Sequence, residues 1–284
     1  MENILVLGSS GQIGLSLTRL LRNIKNYNVI ECDIVRNESN DLRKQSDFLN
    51  KSFSEADFVY FLAYDVGGSR YLEDNQNSSS FLNNNLLLMQ NTFNYLEDHS
   101  IPFVFASTQM SNMSHSAYGT LKRIGEYYTK SLGGHIVRFW NTYGIENDPA
   151  KTHVITDFIN SALNSKSIIM RTTGKEKRQF LHADDCSKGL LKIQQNFKYI
   201  EKRYLDITSF EWNSIYEIAK IISKIFGNIP IERGKLEDLV QNNISNQPDP
   251  YFKKFWEPEI SLEEGINYIV KHMIEFKNSN HSLY

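Results

Sequence analysis

Short, mainly apolar runs alternate, over the first half of the chain, with stretches whose apolar residues recur every three or four positions. The runs Ile4–Leu7, Val29–Cys32, Phe58–Leu62, Phe103–Ala106 and Ile136–Phe139 predict strands. The stretches Ile13–Asn23, Leu82–Asp98 and Tyr118–Leu132 predict helices between them. Strands that are apolar throughout are buried on both faces, as in a parallel sheet, and their alternation with helices predicts a doubly wound α/β domain. After Gly144 the rhythm loosens, with Pro149, a helix near Val154–Leu163, mixed elements through Glu264, and a closing helix over Leu262–Phe276. No repeat or low-complexity linker divides the chain. Residues 151–284 therefore read mainly as a cap on a domain of residues 1–150, with a segment around 180–210 returning to that domain.

The charge balance, 31 Lys and Arg against 33 Asp and Glu, comes without a basic cluster and argues against nucleic acid as the main partner. No apolar run has the length a membrane span needs. The first strand follows Met1-Glu2-Asn3 directly, which leaves no room for a signal peptide. Two cysteines, Cys32 and Cys186, fit neither a metal spacing nor a disulfide framework. These features predict a cytoplasmic protein without a metal site.

The segment LVLGSSGQIG sets Gly8, Gly11 and Gly14 between the first strand and its helix, with Gln12 and Ile13 opening that helix. Such a turn points backbone N–H groups outward at a positive helix end, where a pyrophosphate can sit. A glycine-rich turn without a ligand is the plain alternative. Asp33 ends the second strand at the distance expected of a ribose-binding carboxylate, which accepts both ribose hydroxyls and repels a 2′-phosphate. NAD is therefore expected as cofactor, although Arg36 nearby keeps NADP open. Asp41 and Leu42 are candidates for the adenine border, and Leu62 and Ala63 for the cofactor wall. Taken alone, each of these four reads more readily as ordinary structure.

In FASTQMSNMSHSAYGTLKRIGE, Tyr118 and Lys122 stand one helical turn apart and share a face. An ordinary phenol, with a pKa of about 10, is too weak an acid to serve as a base near neutrality. A lysine one turn away is expected to stabilise the phenolate and bring that value down. Tyr-x-x-x-Lys alone is common on helix surfaces. Hydroxyls at the end of the fourth strand, Ser107 and Thr108, give it meaning.

With these residues the chain resembles the extended short-chain dehydrogenase/reductase family, in its nucleotide-sugar epimerase and dehydratase group. The resemblance is carried by GSSGQIG, Asp33, FLA, Asn85, FAST, YGTLK, VRFWNTYG, RQFLHADD and FWEPEISLEEG, with Phe255 in place of a usual glycine. It implies a Rossmann-type doubly wound sheet with a smaller C-terminal α/β substrate-binding cap. It implies Thr108 as the catalytic hydroxyl, Tyr118 as the base and Lys122 as its partner, with both Tyr118 and Lys122 also touching the cofactor. It also implies a substrate cleft drawing on Ser107, Gln109, Asn141 and His153, and Arg178 gripping a sugar-nucleotide diphosphate. His153 reads more readily as surface or packing, and Asp184 as a structural hydrogen-bonding residue. Family members dimerise through the helix of the Tyr-Lys pair and the one before it, so a homodimer or higher homo-oligomer is expected.

The implied reaction begins with Tyr118 taking the proton of a sugar hydroxyl, commonly at C4, while hydride leaves that carbon for the nicotinamide. Family dehydratases carry Thr-Asp-Glu at the catalytic hydroxyl; here Gln109 and Met110 follow Thr108, and neither exchanges a proton at neutral pH. Family 3,5-epimerases carry a cysteine where Met110 stands, although LAYDVGGSRY resembles their Asp-Met-Gly-Gly segment and hints at a GDP-linked manno-configured sugar. The expectation is a 4-epimerase or 4-dehydrogenase serving surface-glycan synthesis, such as capsule or lipopolysaccharide. The alternative is an NADPH-dependent keto-sugar reductase. A 4,6-dehydratase and a dinucleotide sensor without turnover fit less well. Nine residues lie between Thr108 and Tyr118, a short connection expected to leave the pocket open.

Overall fold

The computed structural model describes residues 1–113, 115–237 and 246–281. Five strands carry the first half: β1 (Glu2–Leu7), β2 (Tyr27–Cys32), β3 (Phe58–Phe61), β4 (Phe103–Thr108) and β5 (His135–Phe139). A sixth, Tyr204–Ile207, joins from the later part of the chain at the edge beside β5. The sheet among the described residues runs Tyr204–Ile207, β5, β4, β3, β1, β2, and every pair is parallel.

Strand periodicity of two sorts the core into two layers. On one face Ile4, Val6, Tyr60, Val104 and Val137 pack with Leu17 and Leu21 of α1 (Gln12–Arg22) and Leu190 and Ile193 of α7 (Ala183–Gln195). On the other, Leu5, Leu7, Val59, Phe61, Phe103 and Phe105 meet three helices. These are α2 (Asp47–Glu55), α4 (Ser79–His99) and α5 (Ala117–Ser131). With helices on both faces, the sheet is Rossmann-type. Its strand order reverses between β1 and β3, and the crevice at the carboxyl ends of those two strands is where such sheets bind ligands.

A third apolar cluster lies outside the sheet. It joins Ile155, Phe158 and Ile159 of α6 (Val154–Ser165) to Ile218 and Ile222 of α8 (Ile215–Ile225) and to Ile266 and Ile269 of α9 (Leu262–His281). Polar contacts tie α1 to α7: Ser16 Oγ donates to Asp184 Oδ1 at 2.6 Å, and Arg19 Nη2 reaches the same oxygen at 2.6 Å. Asp185 accepts the N–H groups of Glu259 and Ile260 at 2.9 and 2.7 Å, which fastens the segment before α9. The HADD run is thus a structural joint.

Candidate active site

The turn between β1 and α1 is shaped by glycines that could not be anything larger. Gly8 has φ +85°, and a Cβ there would meet Ala63 N at 2.7 Å. A Cβ on Gly14 would stand 2.1 Å from the Gly8 carbonyl oxygen. Gly11 is the N-cap of α1 and carries no side-chain cap, so the first N–H groups of the helix stay available. Asp33 closes the turn: Oδ2 accepts from Ser10 N at 2.8 Å and Oδ1 from Val35 N at 3.0 Å. Arg36 is held in an ion pair by Glu31, which also binds Arg22. Leu62 and Ala63 border Gly8 across the crevice, and Leu62 N donates to Leu7 O at 3.0 Å. Gln12 opens α1 with Ile13 behind it, and Gln12 Oε1 accepts from Thr142 Oγ1 at 3.1 Å. Asp41 and Leu42 are buried, Leu42 in the core under β1 and Asp41 clamped by Arg43 at 2.8 and 3.0 Å. An adenine ring would find backbone and side-chain edges there, not a free carboxylate.

The chemical end lies at the carboxyl end of β4. Thr108 Oγ1 caps the short turn Gln109–Asn112 by accepting from Met110 N at 3.2 Å. Helix α5 comes close because Gly119 has no side chain; a Cβ there would sit 2.2 Å from the Met110 carbonyl oxygen. Its N-cap Ser116 accepts from Gly119 N, while the Ser116 hydroxyl and Tyr118 N both donate to Gln76 Oε1, at 3.0 and 3.3 Å. Tyr118 and Lys122 fall on the buried face of α5. Thr108, Tyr118 and Lys122 are thereby brought to one place.

The coupling expected between Tyr118 and Lys122 takes another form. Burial pushes the Tyr118 phenol up, and the Thr108 hydroxyl draws it down without overcoming that shift. Lys122, 3% exposed, donates from Nζ to Ala106 O at 2.6 Å. Its Nζ stands 3.6 Å from the centre of the Tyr64 ring and 6.0 Å from that of Tyr118. Burial brings its ammonium down to about 7, opposed by the Glu126 carboxylate. Here the lysine does not itself lower the phenol, because desolvation dominates both groups.

Ser107 departs from expectation. Neighbouring residues on a strand face opposite ways, and Ser107 Oγ donates to Glu126 Oε1 at 2.7 Å, inside a buried pair that Arg138 completes at 2.8 and 2.7 Å. Its hydroxyl is buried and taken up by this pair. The short connection after Thr108 also closes instead of opening: Gln109, Met110 and Ser111 are buried, and Asn246 Nδ2 covers Gln109 at 3.3 and 3.2 Å. Asn141 begins β6 (Asn141–Tyr143), and its Oδ1 is buried without a partner among the described residues. Arg178 is buried, with Nη1 donating to Lys177 O at 2.7 Å. His153 is the N-cap of α6, its ring bonded to Glu146.

Comparison with known proteins decides the affiliation. The profile of the NAD dependent epimerase/dehydratase family matches residues 4–219. The chain belongs to this family. It is 26% identical over 318 residues to a putative UDP-glucose 4-epimerase of Methanocaldococcus jannaschii, covering 98% of this chain and 99% of the relative. An epimerase from Methanothermobacter thermautotrophicus superposes with TM-score 0.83 at 20% identity, over 99% of this chain and 94% of that one. UDP-glucose 4-epimerase from Thermotoga maritima gives 0.76 at 20% identity, over 96% and 99%.

NAD is the cofactor of this epimerase/dehydratase chain, and the β1–α1 turn fits it. Gly8 and Gly14 leave the backbone bare for phosphates. Ser9 Oγ and Gln12 Nε2 are buried there without a partner among the described residues, as groups awaiting a polar ligand are. Several residues that shape the site were not singled out by any motif, although Tyr64 lies within LAYDVGGSRY and Glu126 ends the stretch of the Tyr-Lys pair. Tyr64, Gln76 and Glu126 are visible only once the fold brings them beside α5. Thr142 and Gly144 lay within VRFWNTYG, yet their contact with Gln12 crosses 130 positions for Thr142.

Proposed function

We propose that this member of the epimerase/dehydratase family transfers hydride at a sugar carbinol, C4, of a nucleotide sugar, as a 4-epimerase. The carrying observation is the convergence of Thr108, Tyr118 and Lys122 beside a turn whose next residues, Gln109 and Met110, are buried and cannot exchange protons. That composition supports oxidation and reduction at one carbon and argues against elimination or epimerisation at neighbouring carbons. The full-length relative named a putative UDP-glucose 4-epimerase supports the same choice.

Bound NAD supplies the hydride acceptor. Thr108 holds the reacting oxygen by a hydrogen bond, and Tyr118 exchanges the hydroxyl proton at its phenolic oxygen. Lys122 places its amino group beside them, and alignment supplies most of the rate. Arg178 and Asn141 are assigned to the sugar nucleotide: a guanidinium suits a diphosphate, and the unpaired Asn141 Oδ1 suits a sugar hydroxyl. Asp33 is assigned to the adenosine ribose, with Arg36 kept from a 2′-phosphate by Glu31.

A second reading, net reduction of a 4-keto sugar, is favoured by the state of Tyr118. Burial keeps it protonated, the form that donates to a carbonyl oxygen. Exposed Leu86 and Leu87 on α4 and Tyr127 and Tyr128 on α5, against buried Leu88, Met89 and Phe93, support a homodimer through this face. Supply of an activated sugar for a surface glycan is the role in keeping with the family resemblance.

The test is incubation with UDP- and GDP-linked hexoses, following both the sugar and the absorbance of reduced nicotinamide. A C4-inverted sugar without net change in nicotinamide is expected. Lasting NADH formation, or consumption of NADH or NADPH with a keto sugar, would replace the epimerase reading by the net redox one.

A further inference from the structure

Tyr64 follows Ala63 at the carboxyl end of β3, on the segment that abuts Gly8, and no part of the reaction above uses it. Its ring is the aromatic face nearest to the Lys122 ammonium: Nζ lies 3.6 Å from its centre, against 5.0 Å for Phe105 and 6.0 Å for Tyr118. The Tyr64 and Tyr118 rings meet edge to face, with centres 5.8 Å apart and planes at 71°. The three side chains therefore form one cluster, with Tyr64 bridging the nucleotide turn and the catalytic helix.

The mounting of Tyr64 is rigid. The next residue, Asp65, has its N–H bonded to Asn85 Oδ1 at 2.9 Å and its carbonyl to Asn85 Nδ2 at 3.1 Å, and Asn85 is fully buried. The Asp65 carboxylate is taken by Tyr71 at 2.6 Å and Lys151 at 2.9 Å. The contact with Lys122 is made by the face of the ring and not by the hydroxyl. The Tyr64 hydroxyl is buried without a partner among the described residues, a cost to stability that a phenylalanine would avoid.

A cation over an aromatic face is attracted by the negative charge of the ring, most strongly where water is excluded. Around Lys122 the other groups are few. Glu126 shares its helix, with its carboxylate already engaged by Ser107 of β4 and Arg138 of β5. Tyr118 lies on the same helix, and the Ala106 carbonyl on β4 takes one ammonium hydrogen. None of these contacts covers the ammonium as the Tyr64 ring does.

We propose that Tyr64 is a positioning residue whose ring face holds the Lys122 ammonium, setting both its place beside Tyr118 and its retention of charge. The role gains its catalytic meaning from the oxidoreductase reading, but it is measurable without any substrate. The sign follows from the contact: the ring stabilises the charged form, so losing it makes Lys122 give up its proton at lower pH.

The experiment is an NMR titration of the Lys122 side-chain carbon next to nitrogen, in wild type, Tyr64→Phe, Tyr64→Leu and Tyr64→Met. The resonance is assigned by its absence in Lys122→Arg, and far-ultraviolet circular dichroism with a cooperative thermal transition reports that each variant is folded. In Tyr64→Leu and Tyr64→Met, which refill the volume without a ring, the midpoint is expected to fall by roughly half a unit to one and a half units. Tyr64→Phe should titrate with wild type. A wild-type midpoint in the folded ringless variants overturns the proposal, and so does a fall in Tyr64→Phe equal to theirs. If the midpoint moves as expected while no nucleotide sugar is turned over, the proposal stands and the oxidoreductase reading fails.

Discussion

Ser107 and Thr108 are adjacent hydroxyls with opposite duties, and the strand geometry separates them. Thr108 faces Tyr118, while Ser107 serves the buried Glu126–Arg138 pair. Thr108→Val should lower kcat on the sugar nucleotide by about a hundredfold or more, as loss of one aligned donor does. Ser107→Ala should leave kcat near wild type and lower unfolding stability by about 1–3 kcal/mol, because a buried acceptor loses its donor. Steady-state kinetics and denaturant titration on the two variants check this, and the reverse pattern would exchange their roles.

Lys122 makes a second prediction at the same scale. Its ammonium ionises at about 7 in the folded protein and near the ordinary 10.5 when unfolded. Between those values the unfolded chain binds the extra proton, so this group makes stability rise with pH across that window. Below about 7 both states are protonated and the full cost of the buried charge is present. Wild type should therefore gain on Lys122→Met by as much as roughly 4 kcal/mol between pH 7 and pH 10. Denaturant midpoints measured for both proteins across that range test it; parallel curves would show that Lys122 keeps an ordinary pKa. The Tyr-Lys spacing was legible from the sequence. Its electrostatics were not, because they depend on how deeply both groups sink and on Tyr64, 58 positions before Lys122 in the chain.

At the scale of elements, β1, β3 and β4 were legible because burial on both faces leaves an apolar run, while β2 and β5 kept the signal despite one charged residue each, Glu31 and Arg138. All five in the first half appear, mostly lengthened by a residue or two: β4 reaches Thr108 and β1 starts at Glu2. The edge strand Tyr204–Ile207 and the helices α2 and α3 (Ser69–Asn75) carried weaker signals, being short and half exposed. The glycine turn was legible as a type, and the structure adds which glycine is least replaceable. A methyl group on Gly14 would press on the backbone of Gly8 and Ser9, at 2.1 and 2.8 Å, neither able to swing aside. Gly14→Ala should cost roughly 1–3 kcal/mol of stability, as overpacking does, and weaken NAD binding in the same protein. Calorimetric titration with NAD reads the affinity, and denaturant titration reads the stability. Wild-type affinity in that variant would mean that the β1–α1 turn does not hold the cofactor.

Over the whole molecule, distant segments build one crevice. β1 and β3 meet at the reversal of strand order, and Gly8 touches Ala63 there. The segment Asp65–Gly68 is pinned from below by Asn85 and from the far side by Lys151, and Gly68 N donates to Lys151 O at 3.0 Å. None of these long-range pairings has a local pattern, so sequence alone could name the ends of the site but not its walls. Part of that wall, Asn246 over Gln109, lies just past residues 238–245, which are outside the described structure.

The central claim is that Tyr118 moves the proton that accompanies hydride transfer between a nucleotide sugar and NAD. The most direct measurement is rapid mixing of the NAD-loaded wild type and Tyr118→Phe with the nucleotide sugar on which wild type acts, following the absorbance of reduced nicotinamide. Wild type should reduce its bound cofactor, transiently or lastingly. Tyr118→Phe should bind NAD and sugar nucleotide but react slower by about a hundredfold or more, as loss of a positioned acid-base group does. Equal rates in the two proteins would contradict the account.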